Sequence, residues 1–336
     1  MWQWHVIRLD LKHRFTIANR SSDFRENIVV RYVNGSETYY GLAAPNPRYD
    51  ESVETAISAI EILTQSAQLN QEPVTIWPLL NQAIRGQYAA KASIDMALYD
   101  AWGKRTNQPV WKLLRVPEPH GMPLCMTIGI DSAERVKQKV LDAHEFPILK
   151  VKLGGSNDRE MIESIRSVTS KPLRVDANEG WRNREDAIRE IEWLASRNTV
   201  FVEQPMPSDQ LDDVIWLKQR SPLPLVADES LDHRASLPDL AQAYDGINIK
   251  LMKCGGITPA LSLMGQARTL GLRIMLGCMV ESSIGIAAAA QIAPLVDDLD
   301  LDGNLLIVND PFRGCDVVDG HIYLNHRPGL GVLSKT

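Results

Sequence analysis

The sequence predicts an α/β fold in which a small α+β module precedes a barrel of eight parallel strands. Three observations predict it. Residues 1 to about 45 alternate apolar and polar in short runs, the stretch from Ser52 to Lys104 switches to apolar residues at three- and four-residue spacing, and beyond Pro117 short β-branched runs alternate with helical stretches.

Within the module, HVIRLDL, NIVVRYV and TYYGLA read as antiparallel strands, with Asn34-Gly35 as a hairpin turn. ESVETAISAIEIL and AAKASIDMALYDAWGK read as helices. The later strands are PLCMTIGI, ILKVKLG, LRVDAN, VFVEQP, LVADES, GINIKL, RIMLGCM and DLDLDG. Such runs, each followed by a helical pattern, call for a parallel sheet.

Composition bounds the function. The chain has 336 residues, 44% of them hydrophobic and 23% charged, enough for a sizeable core. Lys plus Arg number 36 against 42 Asp plus Glu, a formal charge of −6 with no dense basic stripe, which argues against nucleic acid as a partner. The start, MWQWHVIRLDLKHRF, lacks the pattern of a secretory leader, and no run approaches the roughly 18 apolar residues of a membrane span. A cytoplasmic protein is expected. Cys125, Cys254, Cys278 and Cys315 show no C-x-x-C pairing and read as reduced, mostly buried thiols.

Polar residues stand at the carboxyl end of successive apolar runs: Lys152, Asp176, Glu203, Asp228, Lys250, Cys278 and Asp302, at intervals of 22 to 28 residues. One βα unit has about that length, so these side chains would ring one mouth of a barrel, where barrel enzymes carry their chemistry. Any one of them could simply cap the next helix. Seven in phase point to a site.

Asp176, Glu203 and Asp228 bring three carboxylates from consecutive strands toward one point. Without a cation they would repel, and a hard, oxygen-seeking ion such as Mg²⁺ fits them best. Lys150 and Lys152 share one face of a strand, and mutual repulsion is expected to bring Lys152 from about 10.4 toward the 7 to 8 range of a general base. Lys250 lies four strands further on, across the mouth. One lysine on each face of a carbon acid is what inversion needs: one takes a proton, the other returns one. A cation on the neighbouring carboxylate lowers the cost of the enediolate that forms. The residues thus give metal-assisted proton abstraction α to a carboxylate, with racemisation, epimerisation, β-elimination and cycloisomerisation all open.

AKASIDMALYDAWGK, LKVKLG, VDANEGW, VEQP, ADES, NIKLMKCGGIT and MLGCM together resemble the enolase superfamily, specifically its muconate lactonizing enzyme subgroup, over essentially the whole chain. The resemblance implies a modified TIM barrel, (β/α)7β, over residues 117–316. An α+β capping domain, 1–116, would be completed by about 317–336. It also implies one Mg²⁺ per subunit on Asp176, Glu203 and Asp228, with Lys152 and Lys250 as the acid/base pair. A homo-oligomer stays open.

Asp300-Leu301-Asp302 resembles the D-x-D of dipeptide epimerases, the L-Ala-D/L-Glu type among them. Both carboxylates would hold the α-ammonium of a dipeptide while the metal holds its C-terminal carboxylate. Thr127 matches a position that often touches substrate backbone, and Lys150 completes the substrate-facing set. Glu229 and Glu281 are candidate partners that orient ligands and lysines. Such epimerases tend to carry an arginine in the first capping loop; here Ser22 occupies that place, with Arg20 and Arg25 close by. The competing readings are a muconate cycloisomerase or o-succinylbenzoate synthase type, which has no ammonium for the D-x-D to meet, and an idle binding barrel, which would need a broken constellation. None of the seven histidines stands near the sixth or seventh strand end, where a mandelate-racemase-like base would lie.

Overall fold

The structure is a computed structural model and describes residues 1–335 apart from 19 and 68. Strands β1 (Trp2–Ile17), β2 (Arg20–Asn34) and β3 (Glu37–Ala43) form an antiparallel sheet in that order. Asn34 pairs with Glu37 across a two-residue turn, and Gly35 supplies the positive φ of 63° that such a turn requires. β1 and β2 form one long hairpin whose register shifts between Asp10 and Phe15. The segment expected as a capping loop, around Arg20, Ser22 and Arg25, is therefore paired strand at the hairpin's far end.

Three helices follow: α1 (Val53–Ser66), α2 (Pro73–Ala83) and α3 (Tyr88–Thr106). Ser52 and Thr55 start α1 with a reciprocal capping box, each side chain bonding the other's backbone amide. Helix α3 is buried on every side, from Ala89 to Gly103, and ties distant segments together. Asp95 accepts hydrogen bonds from Thr258 Oγ1 (2.6 Å) and Thr258 N (3.1 Å). Asp100 accepts from Tyr40 N, Leu330 N and Lys104 Nζ. Gly103 lies so close to Gly329 that an added Cβ would come within 2.4 Å of its Cα.

After the short helix α4 (Val110–Leu113) and strand β4 (His120–Pro123), eight parallel strands form the barrel. They are β5 (Cys125–Ile128), β6 (Ile148–Lys152), β7 (Leu173–Asp176), β8 (Thr199–Glu203), β9 (Leu225–Ala227), β10 (Gly246–Lys250), β11 (Arg273–Gly277) and β12 (Asp298–Asp300), hydrogen-bonded in sequence order, with β12 returning to contact β5. Helices α5 (Ala133–Asp142), α6 (Asp158–Arg166), α7 (Arg184–Ala195), α8 (Leu211–Lys218), α9 (Leu237–Ala243), the short α10 (Leu251–Cys254), α11 (Ile257–Thr269) and α12 (Ser283–Ala290) connect them. This is the expected (β/α)7β barrel.

Side chains alternate along each strand. Leu149, Val151, Leu173, Val175, Val202, Ile247, Ile249, Ile274 and Leu276 face the helices and are fully buried, each worth roughly 1.5–3 kcal/mol relative to exposure. The inward positions are largely polar and stacked by depth, apart from a small apolar layer of Phe201, Val226 and Met275. At the bottom Arg174 bonds Asp298 Oδ1 (2.6 Å) and Leu299 O over the ring of Phe201, and Arg273 also pairs with Asp298. β13 (Phe312–Arg313), β14 (Cys315–Val318), β15 (His321–Leu324) and β16 (Leu333–Ser334) complete the chain. β15 pairs with β14 on one side and with β4, ahead of the first barrel strand, on the other, while Gly329 and Leu330 reach α3.

Among the described residues, no helix is long and apolar enough to cross a membrane.

Candidate active site

Strand register brings the expected residues to one rim. Lys152 pairs with Asp176 and Asp176 with Glu203 as direct Cα neighbours, and Lys250, Gly277 and Asp300 line up likewise. β6 and β10 are four strands apart in a ring of eight, so Lys152 and Lys250 face each other across the mouth. A cavity of about 410 Å³ opens there. Thr127, Lys150, Lys152, Asp228, Glu229, Lys250, Cys278, Asp300 and Asp302 line its floor, and the cap supplies Phe15, Arg20, Ser22, Arg25, Asn46 and Tyr49 as its roof.

Oxygens of Asp176, Glu203 and Asp228 all lie within 4.8 Å of one another, and all three side chains are buried. Ligands at 2.0–2.1 Å on opposite sides of one Mg²⁺ stand about 4.2 Å apart. The donor set, hard and anionic, fits such an ion with small side-chain adjustments. The amines hold the same oxygens: Lys152 Nζ is 2.6 Å from Asp176 Oδ2, and Lys250 Nζ is 2.7 Å from Asp228 Oδ2. Burial disfavours the charged form of Lys250, but Asp228 more than offsets that and holds its ammonium above the ordinary lysine range.

Lys150 lines the cavity floor while its ammonium is held by acids. Its ammonium sits 2.7 Å from Asp300 Oδ2, 2.8 Å from Glu203 Oε2 and 3.2 Å from Asp176 Oδ2. Burial alone would depress its pKa, yet Asp300, Glu203 and Asp176 hold it well above the usual value. Its charge is thus engaged by three acids of the site.

The D-x-D likewise divides. Asp298, Asp300 and Asp302 share one face at three depths. Asp298 is taken by Arg174 and Arg273, and Asp300 by Lys150, with Cys125 Sγ 3.2 Å from its other oxygen. Asp302 accepts Thr127 N, at 2.6 Å, together with the Thr127 hydroxyl, and has no cation partner among the described residues. Burial, reinforced by Asp300, pushes its carboxyl up to about 6. Thr127 therefore meets Asp302 through both its backbone amide and its hydroxyl, at the lining of the cavity.

Ser22 Oγ bonds Phe24 O (2.6 Å). Arg20 Nη1 reaches Asn46 Oδ1 (3.2 Å) and Arg25 Nη1 reaches Phe24 O (3.0 Å); neither has an acidic partner within ion-pair distance among the described residues. Burial and the neighbouring Arg20 pull Arg25 down to about 10. Glu229 accepts Asn178 Nδ2 (3.0 Å), and burial with Asp228 alongside lifts it to about 7. Glu281 accepts Met279 N (2.7 Å), bracing the turn after β11.

Several contributors were not singled out in the sequence. Lys253 donates to Asp228 Oδ1 and Asp228 O, both at 2.6 Å, so Asp228 carries two lysines. Asn248 Nδ2 donates to Glu203 Oε1 (2.8 Å) from two positions before Lys250. Gln204, adjoining Glu203, is wholly buried among polar partners. The K-x-x-K of Lys250 and Lys253 and the N-x-K of Asn248 were signals of polar groups at an apolar strand end. Arg48 grips Glu179 with two bonds (3.0 and 2.7 Å) and Ser208 Oγ (2.8 Å), fastening the turn that carries Tyr49 to the loop after Asp176.

Comparison with known proteins agrees with this geometry. Residues 131–335 match the family described as enolase C-terminal domain-like, and residues 38–115 match the mandelate racemase/muconate lactonizing enzyme N-terminal domain. The L-Ala-D/L-Glu epimerase of Bacteroides thetaiotaomicron is 43% identical over 97% of this chain and 85% of its own. A substrate-liganded L-Ala-D/L-Glu epimerase from Bacillus subtilis superposes with a TM-score of 0.91 at 28% identity, covering 99% of this chain and 98% of its own. The dipeptide epimerase of Enterococcus faecalis, complexed with Mg and L-Leu-L-Tyr, gives 0.89 at 29% identity, with 98% of each chain covered. Motifs, barrel and relatives converge, and the chain belongs to the enolase superfamily, in its mandelate racemase/muconate lactonizing enzyme family alongside the dipeptide epimerases.

Proposed function

We propose that the protein is a Mg²⁺-dependent dipeptide epimerase that inverts the α-carbon of the C-terminal residue, with L-Ala-D/L-Glu as the favoured substrate. The observation that carries this reading is the pair of buried lysines on opposite strands, each against an acid of one carboxylate triad. Asp176, Glu203 and Asp228 hold the ion, which when bound neutralises the substrate's carboxylate as the α-proton leaves. Lys152 and Lys250 flank that carbon. The neutral amine of one takes the α-proton, and the ammonium of the other delivers a proton to the opposite face, so the C–H bond is remade with inverted configuration. Asp302 holds the α-ammonium. Asp300 acts through Lys150, keeping that cation against Glu203 and Asp176.

Arg20 and Arg25, two guanidiniums over the cavity with no acid within ion-pair distance among the described residues, favour an acidic side chain on the residue being inverted. A muconate or o-succinylbenzoate substrate would leave Asp302 buried with no cation to meet, which disfavours the runner-up. The same reading takes 1–116 with about 317–336 as the cap and 117–316 as the catalytic barrel. It also takes the enzyme to be cytoplasmic, with oligomerisation open.

Incubating the protein with L-Ala-L-Glu in D₂O tests this directly by NMR. Deuterium should enter the glutamate α-position with growth of the diastereomer, stop on addition of EDTA and resume with excess Mg²⁺. Exchange confined to another substrate class, or exchange indifferent to EDTA, would overturn the proposal.

A further inference from the structure

We infer that Gln204 is a positioning residue that registers all three carboxylates of the triad and thereby sets the site's preference for a small, strictly octahedral cation. This rests on the reading of Asp176, Glu203 and Asp228 as metal ligands.

Gln204 follows Glu203 directly, so any shift of its backbone moves that carboxylate. Its own amide donates to Val226 O (2.8 Å), two residues before Asp228. Its carbonyl accepts Glu179 N (3.0 Å) from the loop that leaves Asp176. Its side-chain Oε1 accepts Asp228 N and Ser230 N, each at 3.0 Å, on either side of Glu229. Nε2 donates to Met206 O (2.9 Å), Ser230 Oγ (2.8 Å) and Tyr244 Oη (3.1 Å). One residue therefore adjoins Glu203 in the chain, bonds the backbone of Asp228 and ties in the loop that follows Asp176. Gln204, Asp228 and Tyr244 are at most 1% exposed, so no water competes for these contacts.

The backbone conformation supports a positioning role. Gln204 has φ +39°, a left-handed geometry that is strained for a non-glycine residue and persists only where its surroundings enforce it. A residue needed only to fill space has no reason to hold that strain. Here the strain turns the amide so that both of its ends are satisfied, and the turn fixes how far apart Glu203 and Asp228 stand.

Spacing matters unequally between ions. Mg²⁺ tolerates little departure from octahedral ligands at 2.0–2.1 Å, whereas Ca²⁺ accepts six to eight oxygens at 2.3–2.6 Å in flexible arrangements. Loosening the register should therefore penalise Mg²⁺ more than Ca²⁺. Loss of a residue that orients metal ligands typically costs ten- to a hundredfold in affinity.

Calorimetric titration of the metal-stripped full-length protein with MgCl₂ and, separately, CaCl₂ tests the inference without assaying turnover. Gln204→Met, close in shape but without polar atoms, should weaken Mg²⁺ binding at least tenfold and Ca²⁺ binding by clearly less, lowering the Mg²⁺/Ca²⁺ preference. The double variant Ser230→Ala/Tyr244→Phe, which removes two acceptors of Nε2 and leaves Gln204 in place, should show a smaller change of the same sign. It serves as the deciding variant if Gln204→Met does not fold. Unchanged Mg²⁺ affinity, or an equal loss for both ions with a lowered Tm, would reduce Gln204 to a structural residue and overturn the inference. Failure of the wild type to bind Mg²⁺ would instead refute the triad as a metal site.

Discussion

Replacing Asp302 by Asn isolates the charge proposed to hold the substrate's ammonium. The asparagine keeps an oxygen for Thr127 N, so the local fold should survive. What is lost is the charge. A hydrogen bond to a charged group contributes about 1.5–3 kcal/mol and a neutral one about 0.5–1.5, so the difference is on the order of 1–2 kcal/mol. At about 1.4 kcal/mol per tenfold, KM for L-Ala-L-Glu should rise roughly 5- to 30-fold, with kcat changing far less. The pH dependence has a definite sign. Burial and Asp300 place the Asp302 carboxyl at about 6, so as pH falls through that value it takes up a proton and stops attracting an ammonium. Wild-type KM should therefore be higher at pH 5 than at pH 7.5, and that step should vanish in the variant. Initial rates measured by polarimetry across this range settle the matter: an unchanged KM, or the same pH step in both proteins, refutes the assignment.

Two further outcomes follow from the same geometry. Lys152→Ala and Lys250→Ala should each lose epimerisation by 10²-fold or more, yet each should still exchange the α-proton of one diastereomer with D₂O, and opposite ones, because each removes the base on only one face; exchange of both diastereomers by either variant would contradict a two-base site. Arg48→Met should raise KM by at most about fivefold, since its guanidinium is 38% exposed and a screened pair contributes no more than about 1 kcal/mol. Part of that loss should return in the exchanged pair Arg48→Glu/Glu179→Arg, and a variant whose KM does not move would show that the Tyr49 turn holds its place unaided.

The barrel was legible because its strands carry polar residues where an apolar core would reject them. Asp176 and Glu203 could be paired from spacing, since in-register parallel strands put equivalent positions side by side, whereas Asp228 reaches them from two residues beyond Val226, the residue that stands opposite Glu203. What depends on side-chain direction within the barrel was not legible. Asp300 and Asp302 look equivalent in a period-two reading, but Asp300 lies one layer deeper, where Lys150 neutralises it, and only Asp302 is left open. Lys150 could not be separated from Lys152 for the same reason. Gln204 and Lys253 lie just beyond strand ends, Gln204 in the turn after β8 and Lys253 in the short helix after β10, and their contacts cross to a neighbouring strand end remote in sequence. The segment bearing Arg20 and Arg25 was expected as a capping loop from the family resemblance; pairing with β1 makes it strand, although Ser21, Ser22 and Asp23 are poor strand formers.

Helix α3 bears on how new substrate ranges could be engineered. Relatives with different preferences invite grafting one protein's cap onto another's barrel. In this chain the seam for such a chimera does not fall at residue 116. Asp95 holds the first turn of α11, Asp100 holds the backbone of Leu330, and Gly103 meets Gly329 without room for a methyl group. A transplant that respects these contacts must carry three pieces of sequence together: the amino-terminal segment, the stretch around Thr258, and the last ten or so residues. Chimeras cut elsewhere would strand a buried carboxylate at each broken joint.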